Sequence, residues 1–288
     1  MVIWIIGAKS YESNRILGEL EKNQIEVKQL NWTEIDLPLK EIPELCLIRY
    51  SKGMMDKQGI IFVLSAIEEL QRSGCMVVPS IEGIYREDKM SIYLLWKRYL
   101  SDKIMMPDTL ITKDIESARI FLDKKRVVVF KPLIGGLGKG VLKIDKEDQL
   151  IDLFKKYQVL FLQEYIQSPS YDIRTIVIGD KIILKYARYN KNDFKHNIHS
   201  GGEGKTVEEI AEFDQNIENH MEKIERMALD IKNIARLDMM GIDFLPSEGG
   251  FLYLLEWNST FGFAGAESTT NIDVAKILTE YILSKLKK

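Results

Sequence analysis

Three oxygen-bearing side chains near the C-terminus have the spacing of a cation site. Glu256 and Asn258 end the apolar run of "FLYLLEWNST", residues 251–260. Two apart on a strand, they share a face. Asp243, in "MGIDFL", belongs to the strand expected to pair with theirs, so the three converge. A carboxylate in such a strand is costly unless a cation meets it. An ion pair with a lysine or arginine would satisfy one carboxylate. Two carboxylates and an amide, with no His or Cys among them, suit Mg2+ better, an ion that takes hard oxygen ligands and shares them with phosphates.

The stretch "GGLGKG", 135–140, is a second candidate. Gly136, Gly138 and Gly140 look like part of a dinucleotide fingerprint, but that motif and the phosphate loop both need a helix after the glycines. Here "VLKI", a strand, follows. What remains is a plain hairpin tip or a mobile flap whose backbone N–H groups close over phosphates. Lys131, ending the run "VVVF", favours the flap, because an ammonium at a strand end wants an anion. A basic loop, "YARYNKNDFKHNIHSGGEGK" (186–205), carries Arg188, Lys191, Lys195, His196, His199 and Lys205. The two histidines lack a third soft ligand, which argues against zinc. The loop is either a solvated surface or a landing site for carboxylates and phosphates. Asp172 and Arg174, on one strand face, read locally as a structural salt bridge.

The elements that must position these residues are legible from periodicity. Strand and helix signals alternate over the first ~80 residues, as in a parallel sheet. "VIWII", "LCLIRY" (45–50) and "CMVVP" (75–79) read as strands, and 13–22 and 59–72 as helices. Asp88 is placed to cap a helix from Lys89 to about Ser101. Strands follow at 126–132, 140–144 and 159–166, then a hairpin turning at Gly179-Asp180. Residues 211–236 predict one long helix with Ile217, Met221, Ile224, Ala228, Ile231 and Ala235 in a stripe. A hairpin over 240–258, turning at 247–250, and a last helix over 271–287 complete the chain.

Composition narrows the class. The chain has 288 residues, 45% hydrophobic and 29% charged, with a net charge of −3. That balance offers no bulk attraction to nucleic acid or anionic lipid. No apolar run approaches the ~20 residues of a membrane helix, and the N-terminus reads as a first strand, not a signal peptide. Cys46 and Cys75 lie in apolar strands, as reduced core thiols of a cytoplasmic protein would.

Taken together, "EDKMSIYLL", "VVVFKPLIGGLGKGV", "FLQEYI", "DIRTIVIGD", "NDFKHNIHSGG", "GIDFL" and "LEWNS", the last followed by "GFAGAESTTNIDVAKIL", resemble the ATP-grasp superfamily, and within it the RimK-like amino-acid ligases. The resemblance covers nearly all of 75–288; residues 1–80 fit only the general pattern of the N-terminal domain. It implies a mixed α/β and α+β fold: an N-terminal parallel α/β domain (1–88) and two α+β subdomains (89–166 and 167–288) that clasp ATP.

It also implies roles. Lys89 and Lys131 would hold ATP phosphates, under a flap of Gly135, Gly136, Gly138 and Gly140. Glu164 and Tyr165 would meet adenine, and Asp172 the ribose. Asp243, Glu256 and Asn258 would bind two Mg2+ ions, with Mn2+ as a substitute. Arg174 and Arg188 would act in catalysis near the triphosphate, with Lys195 and Asn197. Arg188, His199 and Ser259 would contact substrate. The implied reaction joins an amine, L-glutamate first, to a carboxylate acceptor through an acyl phosphate, in a homo-oligomeric enzyme. The acceptor would be a small molecule, such as a pterin or deazaflavin coenzyme, or a protein tail. A small-molecule kinase and a nucleotide-binding regulator without turnover are the competing expectations. Two segments depart from the family pattern: Lys195-His196-Asn197 stands where relatives carry Arg-Ser-Asn, and "NSTFGFAG" differs from their sequence after the metal ligands.

Overall fold

A computed structural model describes residues 2–50, 55–136 and 138–286. The glycine-rich segment expected as a flap thus has one position, 137, outside the described residues, as does the last residue of the expected final helix.

Three sheets follow one another along the chain. The first alternates β1 (Val2–Ile6), α1 (Tyr11–Lys22), β2 (Glu26–Leu30), β3 (Leu45–Ile48), α2 (Lys57–Arg72), β4 (Met76–Val78) and the short α3 (Ile81–Tyr85). Its strands are parallel, in the order β2-β1-β3-β4. Next come α4 (Lys89–Tyr99), β5 (Thr109–Thr112), α5 (Ile115–Lys125), β6 (Val128–Phe130), β7 (Leu142–Ile144), α6 (Glu147–Lys156) and β8 (Leu160–Glu164), which make an antiparallel sheet ordered β5-β8-β6-β7. Last are β9 (Tyr171–Ile178), β10 (Lys181–Tyr189), β11 (Glu203–Lys205), α7 (Val207–Ala211), α8 (Ile217–Ala235), β12 (Met239–Pro246), β13 (Leu252–Asn258), α9 (Ala264–Thr270) and α10 (Val274–Leu286). Their antiparallel sheet runs β11-β10-β9-β12-β13.

The helix stripe read from the sequence is the face of α8 that covers the third sheet: Ile217, Ile224, Ala228, Ile231 and Ala235 are fully buried and Met221 nearly so. The predicted single helix over 211–236 is broken, however. Asp214 accepts hydrogen bonds from the Asn216 backbone (2.9 Å) and the Tyr171 hydroxyl (2.8 Å), and this local bonding ends α7 and restarts the chain as α8. The expected last helix over 271–287 is α10, which starts at Val274; α9, just before it, was not read from the sequence. Asn271 takes a left-handed conformation (φ 56°) at the end of α9, and Asp273 caps the start of α10 through the Lys276 N–H at 2.9 Å.

Packing crosses the expected domain boundaries. α4, capped by Asp88 as predicted, buries Ile92 in the core beneath the third sheet, not in that of the second. The first sheet and α10 share another core, in which Ile3, Ile5 and Ile16 meet Ile176, Leu278 and Ile282. Cys46 and Cys75 are buried free thiols. Among the described residues no helix is long and apolar enough to cross a membrane.

Candidate active site

The second and third sheets enclose a cleft of about 800 Å3. One row of cross-strand partners crosses its floor. Tyr186 lies opposite Arg174, Arg174 opposite Asp243, and Asp243 opposite Glu256. Directly opposed residues of antiparallel strands project to the same face, so four side chains from four adjacent strands point into the cleft together. Asp172 and Arg188 form the next pair on that face.

Glu256 reaches this face because the strand is irregular. Phe244 pairs with Leu254 but Asp243 pairs with Glu256, so Leu255 is an extra residue, a β-bulge. Strict alternation from the buried Leu252 and Leu254 would have turned Glu256 into the core. The bulge reverses the parity: Trp257 goes inward, fully buried, and Glu256 and Asn258 go to the cleft. Asn258 lies opposite Gly241, and this glycine has a specific reason. A Cβ there would stand 3.1 Å from Arg174 Nη1 and 2.9 Å from the Phe261 Cβ, so only glycine lets Arg174 lie flat across the strand.

Charge on the floor is tightly paired. Arg174 donates through Nε and Nη2 to both oxygens of Asp243, the second bond being 2.8 Å. Arg188 donates through Nε and Nη2 to both oxygens of Asp172 at 2.6 and 2.7 Å, and its Nη2 also lies 3.0 Å from Asp243 Oδ2. Burial alone would raise the Asp243 pKa; Arg174 and Arg188 outweigh it and hold the carboxylate ionised, far below its ordinary range. Burial likewise opposes the charge on Arg188, and Asp172 and Asp243 more than restore it.

This pairing revises part of the expected ligand set. Among the described residues the side chains of Glu256 and Asn258 hydrogen-bond only to each other, at 3.4 Å, and no lysine or arginine closes an ion pair with Glu256. Their chemistry fits a hard divalent cation. Asp243, as it stands, is the counter-ion of two arginines, the ion-pair alternative open for any one carboxylate. Arg188, expected to grip a substrate carboxylate, has two of its nitrogens on protein carboxylates instead. Asp172, expected at the ribose, faces Arg188.

Lys131 behaves differently. It lines the cleft, and no hydrogen bond or ion pair holds its ammonium among the described residues. Burial lowers its pKa to about 8; Glu256 and Asp243 pull it up and the neighbouring Lys89 pushes it down. Two ammoniums thus stand close enough for each to oppose the other's charge. The glycine segment lies over the same cleft. Gly138, at φ +71°, sits so close to the basic loop that a Cβ would be 2.9 Å from Asn197 Nδ2 and 3.3 Å from Ser200 Oγ.

The remaining expected residues sort as follows. Gly135, Gly136, Glu164, Tyr165, Lys195, Asn197 and the exposed His199 all line the cleft. Glu164 accepts from Lys125 Nζ at 3.0 Å, and Lys195 pairs with Asp193 at 3.5 Å. Gly140 and Ser259 are not in the cleft wall. Gly140 packs on Pro132, and the Ser259 hydroxyl is buried against Glu87 at 2.6 Å, a bond that braces the chain. His196 is buried, and burial lowers its pKa despite Asp172, leaving a neutral ring; the described residues hold no group of three or more His, Cys, Asp or Glu fit for a metal.

A RimK-like ATP-grasp domain model matches residues 86–282. The chain belongs to the RimK-like ATP-grasp family. It is 30% identical to the tetrahydromethanopterin:alpha-L-glutamate ligase of Methanocaldococcus jannaschii, over 95% of each chain. It is 25% identical to the mouse N-acetylaspartylglutamate synthase A, over 86% of this chain and 64% of that one. Among solved structures it superposes on D-cycloserine synthetase DcsG (TM-score 0.75, 12% identity, 99% and 100% coverage) and on the ATP-grasp ligase PsnB complexed with its minimal precursor (TM-score 0.73, 16% identity, 99% of each chain). The fold is therefore the ATP-grasp fold, and the protein is an ATP-dependent carboxylate–amine ligase.

Several residues that line this RimK-like cleft escaped the sequence reading. Lys143, from β7, places its ammonium 3.8 Å from the centre of the Tyr165 ring. Glu12, Tyr50 and Glu87 reach the cleft from the N-terminal side. The clue applied to Lys131, a cation closing an apolar strand, also stood in "LCLIRY", where Arg49 ends the run.

Proposed function

We propose that this ligase joins the amine of L-glutamate to a carboxylate of an acceptor, with ATP and Mg2+. The observation that carries the reading is that Lys131, held by no hydrogen bond or ion pair among the described residues, shares one cleft with Lys89, Glu256 and Asn258 and feels the charge of both Lys89 and Glu256. Two ammoniums beside oxygen donors suit a triphosphate with its divalent cation. Lys89 and Lys131 bind phosphate oxygens and neutralise the charge that spreads over the transferring γ-phosphoryl group. Glu256 and Asn258 hold Mg2+, which supplies further neutralisation when bound. One ion suits the donors as they stand, and a second would require Asp243 to leave Arg174.

The reaction then has two steps. An acceptor carboxylate oxygen takes the γ-phosphoryl group, ADP leaves, and an acyl phosphate forms. The amine attacks the acyl carbon, the C–O bond to phosphate breaks, and the amide forms with loss of a proton. Gly135, Gly136 and Gly138 cover the acyl phosphate and keep water from it. Support for glutamate comes from the archaeal relative's name, and a pterin-type acceptor is the first to test for the same reason. Buried free Cys46 and Cys75 suit the reducing cytoplasm.

The test is ADP release from the purified chain with ATP, Mg2+, L-glutamate and a panel of carboxylate acceptors, with mass spectrometry of the products. A product heavier by one glutamyl residue supports the reading. ADP release that is independent of any amine, with a phosphorylated product, replaces it with a kinase.

A further inference from the structure

Tyr186 carries a hydroxyl that the fold does not use. It stands at the end of the cross-strand row on the cleft floor, opposite Arg174. The residue is 2% exposed, and its ring lies in the core that also holds Ile176, Leu184 and Phe263. The cleft wall includes Tyr186 together with Arg174, Arg188 and Gly265. No hydrogen bond holds the hydroxyl among the described residues. A buried tyrosine usually pairs its O–H, because a hydroxyl shielded from water and left without a partner forfeits its hydration for nothing.

The surroundings choose the chemistry of the missing partner. Burial raises the Tyr186 pKa, so the hydroxyl keeps its proton at neutral pH and can donate a hydrogen bond. Arg174 and Arg188 each act on the phenol more strongly than Asp172 or Asp243 does, so the field at the hydroxyl is positive. Each guanidinium also keeps its Nη1 outside the bonds that tie it to Asp172 and Asp243. An O–H donor in a positive field, with N–H edges on the same face, suits a carboxylate oxygen and disfavours an ammonium. A Cβ at Gly265 would stand 3.6 Å from the hydroxyl oxygen, in contact with it, and the glycine keeps that approach clear.

We propose that the Tyr186 hydroxyl is a specificity contact: it hydrogen-bonds a substrate carboxylate that does not react. This rests on the amide-ligase reading above. The position excludes the reacting carboxylate. Glu256 and Tyr186 lie on β13 and β10, three strand spacings of about 4.8 Å apart, roughly 14 Å in all. The γ-phosphoryl group stays with the cation, so the carboxylate that takes it reacts at the Glu256 end of the row. A carboxylate at Tyr186 passes through the reaction unchanged and holds its substrate by the far end. Two sources have that chemistry: a carboxylate of L-glutamate, and a second carboxylate on the acceptor. In either case Arg174 and Arg188 stay with their own carboxylates and supply charge, while the phenol supplies the directional bond.

Tyr186→Phe tests the contact. It keeps the ring that the core packs and removes only the hydroxyl, so Tm should hold or rise. Titration calorimetry of L-glutamate into the full chain, with Mg2+ and a non-hydrolysable ATP analogue, reads the first source. The KM of the acceptor found in the carboxylate panel reads the second. At least one of these constants is expected to rise about tenfold, the value of one hydrogen bond to a charged group, with affinity for the ATP analogue unchanged. A rise in the Kd of L-glutamate assigns the contact to the amino acid, and a rise in the acceptor KM assigns it to the acceptor. Both constants unchanged in Tyr186→Phe overturn the proposal, as does a loss confined to kcat or to ATP affinity. Should a different amino acid be the substrate, its Kd replaces that of L-glutamate in the comparison. Should the wild-type product be a phosphorylated acid and not an amide, the ligase reading fails on its own, and the KM of that acid decides the contact in the same way. Wild type that binds no carboxylate of either kind overturns the proposal as well.

Discussion

Arg188 and Asp172 face each other across β10 and β9 and close two parallel hydrogen bonds, Nε to Oδ1 at 2.6 Å and Nη2 to Oδ2 at 2.7 Å. Both are almost fully buried. A lysine keeps the charge but cannot reproduce the fork, and it would leave Asp172 partly unpaired in a dry site. Arg188→Lys should therefore cost stability, by less than the about 3–5 kcal/mol of removing one partner of a buried pair outright, and lower Tm by several degrees. Differential scanning calorimetry beside substrate kinetics checks this. An unchanged Tm with only the substrate KM raised would return Arg188 to the role of substrate anchor.

Asp243 and Glu256 are direct cross-strand partners with opposite surroundings, so their amide variants should separate. Asp243→Asn leaves Arg174 and part of Arg188 without a counter-ion. It should destabilise the fold by about 3–5 kcal/mol, as removal of one member of a buried ion pair does. Glu256→Gln breaks no ion pair among the described residues, so Tm should hold while Mg2+-dependent ADP release is lost. Thermal melts and ADP assays on both variants decide it. Normal turnover by Glu256→Gln at saturating Mg2+ would remove Glu256 from the metal site.

These contrasts mark how far the sequence could be read. Periodicity located the α8 stripe, the two hairpins and the parallel first sheet, because each reports a single buried face. Spacing put Glu256 and Asn258 on one face, but the bulge at Leu255, which decides that this face is the cleft, has no local signature in "LYLLEWN". Pair identity was equally hidden. Asp172, Arg174, Arg188 and Asp243 were all singled out, yet which carboxylate meets which guanidinium depends on strand order, β10-β9-β12, which only long-range pairing sets. The break before α8 was missed because the Asp214 side chain competes with helical bonding, an effect invisible to a hydrophobic stripe, and the short α9 was missed outright.

Lys131 predicts a pH dependence with a definite sign. Its pKa of about 8 lies below the ordinary 10.5 because the ammonium is poorly hydrated. Without nucleotide, holding that charge costs stability below about pH 8. The cost fades as pH rises from 8 towards 10.5, where only the unfolded chain still binds the proton. A triphosphate reverses the preference by supplying the missing anion. ATP affinity should therefore fall as pH rises above 8, and binding at pH 8–9 should take up a proton. Titration calorimetry in two buffers of different ionisation enthalpy measures that proton directly. Binding with no proton uptake at pH 8.5 would show that Lys131 does not meet the phosphates.

Gly138 ties the glycine segment to the basic loop and is the place to test closure. Its φ of +71° is strained for any residue with a side chain, and a Cβ would press to 2.9 Å from Asn197 Nδ2. Gly138→Ala should therefore disfavour this closed arrangement by about 1–2 kcal/mol, the cost of the left-handed conformation for an L-residue. The segment contributes no buried apolar side chain among the described residues, so Tm in the absence of nucleotide should not change. If closure over the phosphates is needed for turnover, kcat/KM for ATP should fall about tenfold. Limited proteolysis supplies the second reading. Wild type should be cut within 134–140 without ATP and protected by ATP with Mg2+, and Gly138→Ala should lose most of that protection. Equal cutting of wild type in both conditions would mean that the segment does not close on nucleotide, and a lower kcat/KM in Gly138→Ala would then reflect the displaced Asn197 instead.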